Sequence, residues 1–464
     1  MKSKPRIGLF VTGLLEDAYN KTGYLRPKFV ETTNDLAKML STYGEIVNPG
    51  FVEYEPDAER AAQIFNAASV DLIIVVELAY QKGIIPIRTF LNTKAPILVW
   101  NTQQIRHLPE DTNFDIIMLN SGMCGLPELT NGLLRTGRRF RTITSHMTDP
   151  QGLAQIGEYA AAAAVVRRLR NARVGIIGHP YEGMADLMVD HLSLRESIGP
   201  SCWPIEPERV AALAASVSGE KVKCVINEER SRFRVETVPP EMFERSVRLA
   251  LALEEVVKEN HLDALAIFEQ VWLSDSRVGI VSNYGAGRLM SLEVPCAPEA
   301  DVLAAISMLL LQELAGQSTI LENYVMDFDH NTIMLSHDGT GNPALAARPS
   351  DVSVKPSVYY RGVHGFGAAF EYGYARGEVT ILSLVTLGKG EWRLIVSEGE
   401  SLSMTPRPLS APQMTFRPSS GSIQEYCDRW CSAGASHHMA LAYGRLADKV
   451  NQVGELLGVE VVVV

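Results

Sequence analysis

Short apolar runs rich in β-branched residues alternate along this chain with longer stretches whose apolar positions recur every three to four residues. Residues 7–11, 72–76, 96–100 and 115–119 are of the first kind and predict buried strands. Residues 31–42 and 57–68 are of the second kind and predict helices packed on a sheet. Asp149-Pro150 then opens an Ala-rich helix predicted to run to about residue 170. An aspartate suits the N-cap because its side-chain oxygen accepts from free N–H groups of the first turn, and proline suits the first helical position, where no N–H is needed. This alternation implies βαβ units and a parallel sheet covered on both faces.

A second such unit begins with Arg173-Val-Gly-Ile-Ile-Gly178. Residues 222–226 and 263–268 predict further strands, and 244–260 an amphipathic helix. Residues 301–314 are apolar nearly all round, so that helix is expected deep in a core. Beyond about Gly316 the pattern changes. Residues 379–387 and 392–397 read as strands around Leu387-Gly-Lys-Gly-Glu391, which predicts a hairpin turn. Pro and Ser become frequent from 405 to 422, and the chain closes with a predicted helix over 440–457 and a strand over 459–464. The expected fold is α/β: two Rossmann-like parallel-sheet domains, residues 1–170 and 171–320, followed by a C-terminal antiparallel β-barrel domain, residues 321–464.

Composition narrows the function. A chain of 464 residues is too long for one hydrophobic core, and 46% apolar with 21% charged residues is an ordinary globular mixture. The net charge of −11 argues against a nucleic acid or an anionic membrane as partner, since both need a positive field. No run reaches the length of a membrane-spanning helix. Lys2, Lys4 and Arg6 before the apolar residues 7–15 mimic a signal peptide, but Glu16 and Asp17 follow with no small-residue cleavage pattern, so a buried first strand is expected. The cysteines have neither disulfide nor zinc spacing. Cys427 and Cys431, one helical turn apart, are expected as reduced thiols beside a core, and a reducing cytoplasm fits.

Phosphate-loop candidates are weak. Gly8 and Gly13 flank the first strand without the Gly-x-Gly-x-x-Gly spacing, and Gly285-Ala-Gly287 lacks the third glycine and a following ribose acid. Gly-x-Ser-x-Gly is absent, which leaves a serine hydrolase unsupported. Three segments in the second half carry more. Cys296-Ala-Pro-Glu-Ala-Asp301 precedes the buried helix, and capping alone explains its acids. Leu321-Glu-Asn-Tyr-Val-Met-Asp-Phe-Asp-His330 leads through 332–335 into Ser336-His-Asp-Gly-Thr-Gly-Asn-Pro343, with acids and histidines set in apolar, strand-like sequence. Ala433-Gly-Ala-Ser-His-His-Met-Ala-Leu441 places two adjacent histidines where the last helix is expected to open. A lone histidine in such a place is usually a satisfied core group. Several acids and imidazoles converging would cost too much desolvation without a shared partner. Two carboxylates and two imidazoles suit an octahedral Mn2+, Mg2+ or Co2+ site with two open positions, and the lack of thiolates argues against structural zinc.

With these motifs the chain resembles the L-arabinose/L-fucose isomerase superfamily over nearly its whole length. The resemblance rests on Pro96-Ile-Leu-Val-Trp-Asn-Thr-Gln103, on His146-Met-Thr-Asp-Pro150 with Ile156-Gly-Glu158, and on Gly287-Arg-Leu-Met290 with Pro298-Glu-Ala-Asp301. It continues through Glu322-x-Tyr-x-x-Asp-Phe328, Leu335-Ser-His337, Trp392-Arg-Leu-Ile-Val396 and Gly434-Ala-Ser-His-His438. It implies a metal-dependent aldose–ketose isomerase in which Glu299, Glu322, His337 and one of His437/His438, with His438 favoured, hold the metal. It also implies that the two glutamates move the proton through a cis-enediol. Mn2+ is the expected metal, with Mg2+ or Co2+ as alternatives. His437, Ser121, Met184 and Phe268 are the candidate sugar-binding residues. A homo-oligomer is implied, a hexamer first, with trimer and tetramer as alternatives. The family's arabinose enzymes place a glutamine and a histidine in a first-domain loop where this chain has Asn120-Ser-Gly-Met-Cys-Gly125. The expected substrate is therefore a hexose, a 6-deoxy or a 6-substituted aldose rather than L-arabinose, with Arg106 and Arg288 as candidate anion partners that also read as salt-bridge residues. A metal-free sugar-binding protein or inactive relative, and a metal-dependent epimerase or lyase, fit the same pattern.

Overall fold

The computed structural model describes residues 4–13, 25–235, 237–357 and 366–464. The chain divides into two compact units, residues 2–167 and 168–464, with the boundary inside the helix Pro150–Asn171. In the first unit the sheet order is Glu45–Val47, Arg6–Thr12, Leu72–Glu77, Ile97–Asn101, Phe140–Thr144. Phe51–Val52 pairs further along Arg6–Thr12, and every pairing is parallel. The central strand Leu72–Glu77 is buried along its whole length, which is why it reads as an unbroken apolar run. Phe10, Val75 and Val99 stand in register across three strands and share a core with Phe65 of the helix Glu55–Ala68. Asp149 caps the long helix as expected, accepting from the N–H groups of Gln151 and Gly152. Residues 14–17, which bear on the signal-peptide reading, lie outside the described residues.

One strand expected here is a helix. Residues 115–118 fall in the helix Phe114–Met118 and Leu119 caps its end, because Asn113 accepts from the N–H of Ile116 and starts a helical turn. The sheet edge beside Ile97–Asn101 is taken instead by Phe140–Thr144, whose half-exposed, mixed sequence carries no apolar run to announce it.

Glu77 ends the central strand with its side chain enclosed. Oε1 accepts from the N–H of Gln81 at 2.8 Å, and Oε2 has no hydrogen-bond partner. Burial pushes the carboxyl up to about 8, the Gln81 N–H pulls against that rise and the charge of Glu128 adds to it. The folded unit thus holds a proton that the unfolded chain releases near 4.5. Stability should fall as pH climbs from about 4.5 to about 8 and level off above that. Glu77→Gln should flatten the slope, read as urea midpoints at about pH 5 and about pH 9. Equal slopes in the two proteins would contradict this account of Glu77.

The second unit holds two sheets. The smaller is parallel, in the order Cys296–Ala297, Ala264–Ile267, Arg173–Ile177, Ser201–Ile205. The helix Val302–Ala315 is buried on all sides from Val302 to Glu313, in line with its apolar sequence. The strand expected over 222–226 is part of the helix Gly219–Arg232. Ser218 caps it, and Val222, Val225 and Glu229 form its buried stripe at helical spacing.

Among the described residues the larger sheet has ten strands. Six of them, Thr319–Asp327, Thr332–Ser336, Pro412–Pro418, Glu391–Leu402, Gly377–Gly388 and His438–Tyr443, pair antiparallel in a cycle that returns to its start. The expected hairpin at 387–391 is present, with Gly388 and Gly390 at φ values of 81° and 80° that a side chain would disfavour. The sheet is mixed rather than purely antiparallel. Glu460–Val463, Ala368–Gly373 and Arg234–Val235 each join it by a parallel pairing. The helix expected from 440 begins only at Ala447, because Met439–Ala442 fill a strand position between Thr319–Asp327 and Gly377–Gly388. Cys427 and Cys431 are free thiols on the helix Ile423–Ser432.

Candidate metal centre

The second unit brings its acids and histidines together through two local devices. The first is a strained turn. Glu299 and Ala300 lie between the strand Cys296–Ala297 and the helix Val302–Ala315 with φ values of 58° and 53°. Left-handed backbone costs a residue with a Cβ about 1–2 kcal/mol. Hydrogen bonds compensate: Glu299 N–H to Glu269 Oε2 at 2.9 Å, Ala300 N–H to the Ile267 carbonyl at 3.0 Å, and Tyr181 N–H to the Glu299 carbonyl at 3.2 Å. The turn leaves the Glu299 carboxylate buried, with Oε2 lacking any hydrogen-bond partner.

The second device is strand register. Glu322 pairs with His438 on one neighbour and with Ser336 on the other, so His337, the next residue, follows directly. The two imidazole Nε2 atoms of His337 and His438 stand 3.1 Å apart. His438 Nε2 is 3.7 Å from Glu299 Oε2 and 3.9 Å from Glu322 Oε1. Asp301 serves two partners: Oδ1 accepts from Ala304 N–H and caps the buried helix, while Oδ2 lies 2.9 Å from His438 Nδ1. A carboxylate there places the His438 proton on Nδ1 and turns the Nε2 lone pair inward. Burial, with His438 adding to it, drives His337 down to about 3, so its ring stays neutral.

A buried carboxylate oxygen without a hydrogen-bond partner, set beside two imidazole Nε2 atoms only 3.1 Å apart, is costly on its own. Shared coordination of one cation removes the conflict. Glu299, His337 and His438 offer ligand atoms all within 4.8 Å of one another, and so do Glu322, His437 and His438. The residues fit a divalent ion of the Mn2+, Mg2+ or Co2+ kind.

His437 lies beside these residues. Its Nε2 is 3.5 Å from Glu299 Oε2 and 3.9 Å from Glu322 Oε1, and its Nδ1 is 2.6 Å from Asp186 Oδ2. Burial opposes charge on this ring, but the close Glu299 carboxylate, the hydrogen bond to Asp186 and the charge of Glu322 hold it up at about 9. Burial pushes the Asp338 carboxyl up to about 7, with the charges of Glu269, Glu322 and Glu299 adding to the rise. Glu269 is raised chiefly by burial as well.

The other expected residues are placed as follows. The Phe268 ring packs on His179 and Tyr181, one residue before Glu269. Met184 is half-buried two residues before Asp186. Ser121 belongs to the other compact unit, where its hydroxyl donates to the Met118 carbonyl. Arg288 is engaged by Glu229 and Glu254 at 2.8 and 2.7 Å and takes its salt-bridge reading. Arg106 donates to the Thr148 hydroxyl. Asp186, Glu269 and Asp338 were not among the expected site residues. Asp186 and Glu269 stand in ordinary loop sequence, whereas Asp338 adjoins His337 and could have been found there.

The chain is similar to known proteins over most of its length. Residues 317–460 match the family model for the L-arabinose isomerase C-terminal domain. The chain is 21% identical over 421 residues to an L-arabinose isomerase of Shouchella clausii (strain KSM-K16), covering 88% of this chain and 85% of that protein. It is 23% identical over 393 residues to an L-arabinose isomerase of Geobacillus kaustophilus (strain HTA426), covering 81% and 77%. It is also 21% identical over 401 residues to a sulfoquinovose isomerase of Priestia aryabhattai, covering 84% and 85%.

Proposed function

Starting from a chain that is arabinose isomerase-like and an aldose–ketose isomerase, we propose that Glu299, Glu322, His337 and His438 hold one divalent cation, with Mn2+ first and Mg2+ or Co2+ as alternatives. We propose also that Glu299 and Glu322 carry the proton of the isomerisation. The observation that carries this reading is the buried Glu299 Oε2, which has no hydrogen-bond partner and sits 3.7 Å from the inward-facing His438 Nε2. Bound there, the cation would polarise the C1 carbonyl and C2 hydroxyl of an open-chain sugar. One glutamate takes the proton from C2 as O1 gains one, giving a cis-enediol, and the same or the other glutamate returns it to C1 as O2 gives up its own, so that one proton passes from C2 to C1 and one from O2 to O1. Asp301 keeps His438 oriented. His437 faces the two carboxylates and meets sugar oxygens. Met184 and Phe268 are proposed to meet the sugar as well.

The relatives are named for two different sugars, so the centre alone does not select the substrate. The loop Asn120-Ser-Gly-Met-Cys-Gly125 favours a hexose, a 6-deoxy or a 6-substituted aldose over L-arabinose. It offers one hydroxyl and a small thiol, and a sugar hydroxyl left without its partner costs about 1–3 kcal/mol. The Mn2+-loaded chain should therefore convert at least one such aldose to ketose with higher kcat/KM than L-arabinose. Absence of ketose from every pentose and hexose tried would end the isomerase reading. L-arabinose as the best substrate would end the substrate reading alone.

The family match from 317 supports treating 321–464 as a separate domain, and its cyclic strand pairing supports the barrel reading. A homo-oligomer, with a hexamer first, is the proposed assembly, and a fully active monomer by light scattering would contradict it. No helix among the described residues is long and apolar enough to cross a membrane.

A further inference from the structure

The loop that leaves the strand Arg173–Ile177 is tied to the metal centre at two points. Tyr181 N–H donates to the Glu299 carbonyl at 3.2 Å. Further along, in the short turn Ala185–Leu187, Asp186 Oδ2 takes three hydrogen bonds at once. They come from the Ser436 hydroxyl at 2.8 Å, the His437 backbone N–H at 3.0 Å and His437 Nδ1 at 2.6 Å. The Ser436 hydroxyl in turn accepts from the His438 N–H at 3.3 Å. One oxygen therefore fixes both the backbone turn before the strand His438–Tyr443 and the ring of His437.

The consequence lies at the far side of that ring. With Nδ1 held, Nε2 is aimed between Glu299 Oε2 at 3.5 Å and Glu322 Oε1 at 3.9 Å, and it has no hydrogen-bond partner. A buried ring nitrogen left open between two carboxylates is placed for a substrate oxygen. His437 follows Gly434, at a φ of 80°, and lies outside any strand, so without a tether its side chain would be free to turn away.

We infer that Asp186 is a positioning residue of this centre: it clamps the Ser436-His437 turn and presents His437 Nε2 to the substrate oxygens that lie between Glu299 and Glu322. The inference rests on the isomerase reading above. Asp186 acts through His437 and contributes no metal ligand. A group displaced by about 1 Å can lose on the order of 100-fold in rate, so the clamp should show in kcat more than in metal binding.

The test uses the full-length chain, Mn2+-loaded for kinetics and Mg2+-loaded for NMR, with Asp186→Ala and Asp186→Asn. The asparagine oxygen can still accept from the turn, and alanine cannot. Five quantities are read: kcat and KM with the best aldose, metal content, thermal midpoint, and ring-nitrogen NMR of 15N-labelled histidine. The His437 signal is assigned by its loss in His437→Gln. Asp186→Ala should lower kcat on the order of 10–100-fold and shift the His437 ring resonances, with metal content and thermal midpoint unchanged. Asp186→Asn should recover most of that loss. The inference is overturned if kcat of Asp186→Ala stays within about threefold of wild type, if activity falls only in step with metal content, or if Asp186→Asn loses as much as Asp186→Ala. If the wild type turns over no aldose, the isomerase reading fails. The resonances then decide Asp186 by themselves, and unchanged His437 signals in Asp186→Ala overturn its role.

Discussion

Glu299→Gln and Glu322→Gln are each expected to lower kcat by about 10²–10⁴-fold while the chain stays folded. The amide fills the same volume, so the packing around the helix Val302–Ala315 and the register of Glu322 opposite His438 should survive. What is lost is the ability to carry a negative charge and to take a proton from carbon. The effect at Glu299 should be at least as large as at Glu322, because Glu299 is the more enclosed of the two and its Oε2 has no other partner. Turnover with saturating Mn2+, far-ultraviolet circular dichroism and metal content would be compared for the three proteins. Activity above about a tenth of wild type in either variant would contradict a role worth several kcal/mol.

The residues behind that expectation are legible in the sequence, and the reason is physical. Glu322 and His337 sit in sequence that is otherwise apolar and strand-like, where an unpaired charge is expensive, so their presence signals a partner. Glu299 was less visible. Proline and acids before a helix look like capping, and Asp301 does cap, through Oδ1, while its Oδ2 serves His438. One carboxylate with two tasks cannot be separated by reading along the chain. Asp186 was not visible at all, because its partners Ser436 and His437 are some 250 residues away and only the fold brings them together.

The fold divided in the same way. Strands buried on both faces, such as Leu72–Glu77 and Arg173–Ile177, announce themselves as apolar runs. Short apolar runs are ambiguous between strand and helix, and both kinds of error occurred. Residues 222–226 lie in a helix because Val222, Val225 and Glu229 form one stripe, and the end of that stripe is a charged residue that hid the period. Residues 438–443 lie in a strand because two neighbouring strands receive them, a long-range condition that the local run Met-Ala-Leu-Ala does not carry.

The last prediction separates what Asp301 does for the helix from what it does for the metal. His438→Ala removes a proposed ligand atom and should weaken Mn2+ binding by at least about 100-fold, with activity partly regained at high Mn2+. Asp301→Asn is the more informative change. Asparagine is as good an N-cap as aspartate, so its one oxygen can keep the bond from Ala304 N–H and the thermal midpoint should hold. Its amide nitrogen must then face His438 Nδ1 where Oδ2 now accepts. A donor facing Nδ1 drives the imidazole proton to Nε2, which removes the inward lone pair without moving the ring. Mn2+ affinity should fall about 10–100-fold in a protein of unchanged stability. Titration calorimetry with Mn2+ on the wild type, His438→Ala and Asp301→Asn gives the comparison. Wild-type affinity in both variants would remove His438 from the ligand set. Wild-type affinity in Asp301→Asn alone would show that Asp301 only caps the helix.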